Sequence, residues 1–146
     1  MGKYLLTKNG LDDYTLSYGE KKIDFHSCVE IVTKLQRINE LAKKKMILDL
    51  AEQGKTVNDL IKKKVVNGKN IEDYTNYNAY LKVCNDEVST DLFNEGVEKM
   101  LGISLAKLLI EIGIQDNTEE ALKLSEELGK AMTGGFPEKG QEKVDQ

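Results

Sequence analysis

The sequence predicts a mainly α fold: a helical bundle of four to six helices with at most a small N-terminal β-hairpin. Three observations carry this. Residues 91–113 form the most apolar stretch of the chain, and within it Phe93, Val97, Leu101, Leu105, Leu108 and Ile112 recur at steps of three or four, the period of one helix face. Ser27-Cys28-Val29-Glu30 and Asn117-Thr118-Glu119-Glu120 have the form of capping boxes, each placed before an apolar periodic run. Pro137 is the single proline, so long stretches are free to be helical.

Residues 3–25 differ from the rest. Residues 3–7 and 14–18 are rich in strand-favouring side chains. Asn9-Gly10 and Tyr18-Gly19-Glu20 read as turns, and residues 21–25 alternate polar and apolar. This reads as an N-terminal arm or hairpin over residues 1–26. A lone hairpin is marginal in water and needs something to pack on. From Ser27 a helix is expected to run to about Gln53, with Cys28, Ile31, Leu35, Ile38, Ala42, Met46 and Leu50 on its inner face. Val29, Val32, Ile47, Leu48 and Ala51 widen that face, and Gly54 is a stop. A shorter helix is expected from Thr56 to about Val66, before Asn67-Gly68. A third begins near Asn70 with Tyr74, Tyr77, Leu81, Cys84 and Val88 inward. Ser89 and Thr90 cap the apolar stretch, in which Gly96 and Gly102 either break the helix or admit a close neighbour. The last helix carries Ala121, Leu122, Leu124, Leu128 and Met132 and ends at Gly134-Gly135. The expected domain plan is therefore a helical domain over residues 27–133 and a mobile polar tail over 134–146.

At 146 residues, with 40% hydrophobic and 32% charged residues, the chain is expected to be one soluble, folded domain. No apolar run is long enough for a membrane span, and the N-terminus lacks a secretory signal. Cys28 and Cys84 stand far apart without metal-type spacing and read as free thiols of a reducing cytoplasm. The net charge of −4 is unevenly placed. Residues 34–69 carry ten basic residues against four acids, a net of +6; residues 70–146 carry seven against sixteen, a net of −9. Opposite charge on two parts of one chain suits head-to-tail self-association, with Lys43, Lys44, Lys45, Lys62, Lys63 and Lys64 as the assembly residues.

No catalytic signature is present: there is no Gly-x-Ser-x-Gly, His-Glu-x-x-His, Cys-x-x-Cys or phosphate loop. His26, the only histidine, has no visible partner cluster and reads as a surface or cap residue. The paired carboxylates sit in polar settings. Neither enzyme activity nor a cofactor or metal is expected. The lysine triplets lack interleaved aromatics or glycines in an acidic protein, so no nucleic acid is expected either.

In layout the chain resembles the small tail assembly chaperones of long-tailed, siphovirus-type bacteriophages. A short extended N-terminal segment, a helical body and a polar tail carry the resemblance. A composition rich in lysine, asparagine and isoleucine suits a low-GC Gram-positive host. No signature motif underlies it, so no binding residues transfer. The resemblance implies a protein of the host cytoplasm that coats the long helical tape measure protein and keeps it soluble until tail-tube subunits polymerise around it. It also implies a reading-frame slip near the end, which the protein sequence permits, since Leu128-Gly129-Lys130 and Glu138-Lys139-Gly140 can be encoded by runs of guanines and adenines. The residues expected to bind such a client are Phe93, Val97, Leu101, Leu105, Leu108 and Ile112, as apolar anchors at helical spacing. The alternative is a small helical adaptor or inhibitor that binds a single protein partner.

Overall fold

A computed structural model describes residues 3–134. In chain order the elements are β1 (Leu5–Lys8), β2 (Tyr14–Tyr18), β3 (Lys21–Phe25), α1 (Val29–Leu35), α2 (Ile38–Glu52), a 3₁₀ turn (Val57–Leu60), β4 (Lys62–Val66), β5 (Lys69–Asp73), α3 (Thr75–Leu101), α4 (Leu105–Ile112) and α5 (Thr118–Met132). The fold is α+β, which corrects the expectation of a mainly helical bundle. Among the described residues 58% are helical and 18% lie in strands, in two antiparallel sheets. The chain divides into two compact units, Met1–Lys34 with Leu92–Gln146, and Leu35–Asp91. The expected tail falls outside the described residues except for Gly134, as does Glu138-Lys139-Gly140.

In the first unit the N-terminal segment forms three strands, in the order β1-β2-β3. Residues 14–18 alternate buried and half-buried, so Tyr14, Leu16 and Tyr18 share one face. Leu6 lies opposite Leu16, and Phe25 lies opposite Tyr14 with the rings stacked at 5.3 Å. This apolar face is covered because the same unit supplies buried Ile31, Val97, Leu101, Leu108, Ile112, Leu124, Leu128 and Met132. Polar links then fix the strands. Tyr4 Oη donates to Glu127 at 2.6 Å, Tyr18 Oη to Glu111 at 2.9 Å, and Lys21 pairs with the same glutamate at 3.0 Å.

The helices depart from expectation at identifiable residues. The long helix expected from Ser27 is two helices, parted at Gln36 and Arg37, and no glycine or proline marks the break. Ser27 does not form the expected capping box: its hydroxyl and its N–H both go to Asp12 Oδ1, while Glu30 pairs with Lys99. Downstream, the third helix and the apolar stretch fuse into α3. It stops at Gly102, whose φ of +73° a side chain would resist. Gly96 lies inside α3, where a Cβ would meet Met132 Sδ at 2.5 Å and Ile31 Cγ1 at 3.2 Å. α4 and α5 open on Ser104 and Asn117, which accept from the N–H groups of Lys107 and Glu120.

In the second unit the helix expected from Thr56 to Val66 is replaced by the 3₁₀ turn and the β4–β5 hairpin. Asn67 and Gly68 have φ of +53° and +78°, the two consecutive left-handed residues of a two-residue hairpin loop. That turn returns the chain on itself, and β-branched Val65, Val66 and Ile71 favour extended backbone on either side. The core of this unit is small: Ala42, Met46, Leu50 and Cys84, with Val57, Leu60, Tyr77, Tyr80 and Leu81 packed against it. No described helix is long and apolar enough to cross a membrane.

Candidate functional site

The six residues expected to bind a client belong to the first unit. Val97, Leu101, Leu108 and Ile112 are buried in its core, and Phe93 and Leu105 are half-buried. Their helical period therefore reflects packing within the unit. The six lysines all belong to the second unit, three on α2 and three on β4. Lys43 and Lys44 project from α2, whereas Lys45 is half-buried beside Asp86, Glu87 and Asp91. On β4, Lys62 lies opposite Asp73 and Lys63 opposite Glu72, and Lys64 pairs with Asp73 at 3.1 Å. Strand geometry sends alternate lysines to opposite faces, where the acids of β5 offset part of their charge.

The second unit exposes apolar surface that sequence reasoning assigned inward. α2 turns Ala42, Met46 and Leu50 into the core. At about 100° per residue, Ile47, Leu48 and Ala51 point to the opposite side, together with Lys44. Ile47 is 54% exposed and Leu48 57%. A helix apolar on both sides is either buried or a contact surface, and in this unit the outer side is uncovered. The hairpin is barer still. No residue of β4 or β5 is buried, and Val65 is 71% exposed. Asp73 anchors it: the carboxylate accepts from Thr75 Oγ1 and N at 2.6 and 3.0 Å and pairs with Lys64. These contacts, the Thr75 bonds foremost, hold it well below the usual carboxylate range.

His26, Asp49, Cys84 and Glu87 are the described titratable groups that come nearest to a reactive cluster outside the hairpin. His26 is exposed, with Nδ1 2.9 Å from the Asp12 carbonyl and 3.1 Å from Asp13. The carbonyl bond and the nearby acids raise its pKa and favour its charged form, which ties the β1–β2 loop to the end of β3. The ligating atoms of Asp49, Cys84 and Glu87 lie within 4.8 Å of one another. A metal would need Cys84 as a thiolate, but burial and the neighbouring acids push its thiol pKa up. In the first unit a cleft lined by Tyr4, Leu6, Glu120, Lys123 and Glu127 gathers carboxylates around the Tyr4 hydroxyl, and burial together with the bond to Glu127 pushes that phenol up and keeps it protonated.

No family model, no curated protein and no solved structure matches this chain.

Proposed function

We propose that the chain is a tail assembly chaperone that holds the long helical tape measure protein of a siphovirus-type phage soluble while tail-tube subunits gather on it. Its place of work would be the cytoplasm of the infected host. The observation that supports the reading is the outer side of α2, where Ile47, Leu48 and Ala51 stand uncovered beside Lys43 and Lys44. A client helix with an apolar stripe flanked by acids would lay the stripe along these side chains and set its carboxylates against the lysines. The contact surface thus moves from residues 93–112, which the first unit uses for its own packing, to α2.

The test is co-expression of the chain with a long helical phage tape measure protein, followed by measurement of the client in the supernatant. Ile47→Asp with Leu48→Asp, both at exposed positions, is expected to leave circular dichroism unchanged and to send the client into the pellet. Client held equally well by the double variant, or insoluble even with the unaltered chain, would overturn the reading.

A further inference from the structure

The β4–β5 hairpin has two open edges, and they differ in kind. In a two-residue hairpin the pair flanking the loop, here Val66 and Lys69, is the hydrogen-bonded one. Alternation then turns the backbone groups of Lys69, Ile71 and Asp73 toward β4. Those of Asn70 and Glu72 face the free edge of β5, and those of Lys63 and Val65 the free edge of β4. β4 is guarded: joining it to another β4 would crowd two lysine triplets into one sheet. β5 carries no such guard. Its sequence Lys69-Asn70-Ile71-Glu72-Asp73 is complementary to its own reverse.

We infer that the β5 edge pairs antiparallel with β5 of a second copy about a two-fold axis at Ile71, joining two hairpins into a four-stranded sheet. Asn70 then lies opposite Glu72 of the second copy, and their outward N–H and C=O groups make the inter-copy hydrogen bonds. Ile71, 45% exposed in the single chain, meets Ile71 of the second copy at a non-hydrogen-bonded position, where side chains approach most closely. Lys69 stands opposite Asp73 of the second copy, and the symmetry makes this ion pair twice. The carboxylate is charged throughout the useful pH range, because Thr75 and Lys64 already stabilise its ionised form. A two-stranded hairpin is marginal alone, and the joined sheet gives each hairpin one further paired strand. The pairing is closed and isologous, unlike a head-to-tail stack, and does not depend on the client.

The test uses the full chain in analytical ultracentrifugation, with residue-resolved amide exchange at low and high concentration. The unaltered chain is expected to dimerise. As it does so, the amides of Asn70 and Glu72 should gain protection while those of Lys63 and Val65 stay open. Lys69→Glu sets two acids against each other at both ends of the pairing and should weaken the dimer at least about tenfold. Asn70→Pro removes one outward donor and leaves the bonds to β4, so it should abolish the dimer with circular dichroism preserved. A chain that stays monomeric at every concentration, a dimer that survives both substitutions, or protection appearing at Lys63 and Val65 would overturn the inference.

Discussion

The two sheets of this protein are built from similar material and end in opposite circumstances. β1–β2–β3 has an apolar face on which Leu6, Tyr14, Leu16, Tyr18 and Phe25 are buried and Ile23, opposite Leu16, is half-buried. β4–β5 has three β-branched apolar residues, Val65, Val66 and Ile71, and buries none of them. The difference lies in placement along the strands. Tyr14, Leu16 and Tyr18 recur at every second residue, so they add up on one side of the pleat. Val65 and Val66 are adjacent and point to opposite sides, so neither face of the hairpin is apolar enough to drive burial. A strand pair without a buried face keeps its shape through its turn and through ion pairs such as Lys64–Asp73. It remains open to contact from outside.

The largest expected effect separates the two directly. Leu16→Ala removes a side chain with no exposed surface and should cost about 2–5 kcal/mol in urea unfolding of the first unit. Ile71→Ala in the hairpin, at protein concentrations too low for association, should cost less than about 0.5 kcal/mol. Equal losses would erase the contrast.

Next in size is the turn. Gly68→Ala puts a side chain at a φ of +78° and should cost about 1–2 kcal/mol. The loss should appear as faster amide exchange in β4 and β5, with β1–β3 unchanged.

The helical glycines of the first unit sharpen the picture from the other side. Gly96→Ala gains helix propensity of about 1 kcal/mol, but its Cβ would collide with Met132, itself buried. Overpacking of about 1–3 kcal/mol should leave a net loss near 1 kcal/mol. At Gly129 the nearest neighbour, Phe93 Cε1, is 3.8 Å away, so Gly129→Ala should raise stability by about 0.5–1 kcal/mol. Thermal unfolding of the two variants checks the opposite signs.

The smallest effect is one of pH. Burial, and then the bond to Glu111, push the Tyr18 phenol up to about 12. Since its folded pKa lies above the unfolded value of about 10, its contribution is complete below pH ~10 and fades as pH rises through the folded value. Tyr4, Tyr14 and Tyr74 are also shifted up, so phenolate absorbance should show several late-titrating groups, one fewer in Tyr18→Phe, and the variant's stability should depend less on alkaline pH.

The same contrast decides what could be read from the sequence. The last helix was legible because a buried face imposes a period on the residues that fill it, whereas residues 3–25, expected as an arm or small hairpin, form a three-stranded sheet. The β4–β5 hairpin was not legible, because nothing covers it and its strands need no alternation. Its one signal was Asn67-Gly68 after Val65-Val66, which reads equally as a helix stop or a hairpin turn. The break at Gln36 and Arg37 has no breaker residue to announce it. The surface of α2 was hidden for a different reason. With apolar residues all round, Ile47 and Leu48 could not be told from the core-facing Met46 and Leu50 until their surroundings were known. The apolar stretch misled in the converse way, since the strongest helical period belongs to residues the first unit needs for its own core.

On the proposed function, the first unit is scaffold and the second carries the contact surface. Residue-resolved hydrogen–deuterium exchange of the chain, free and bound to a co-expressed tape measure protein, tests it most directly. New protection is expected over residues 43–51 of α2, with β1–β3, α4 and α5 unchanged. Protection that instead appears at residues 93–112, with α2 as open as in the free chain, would contradict it.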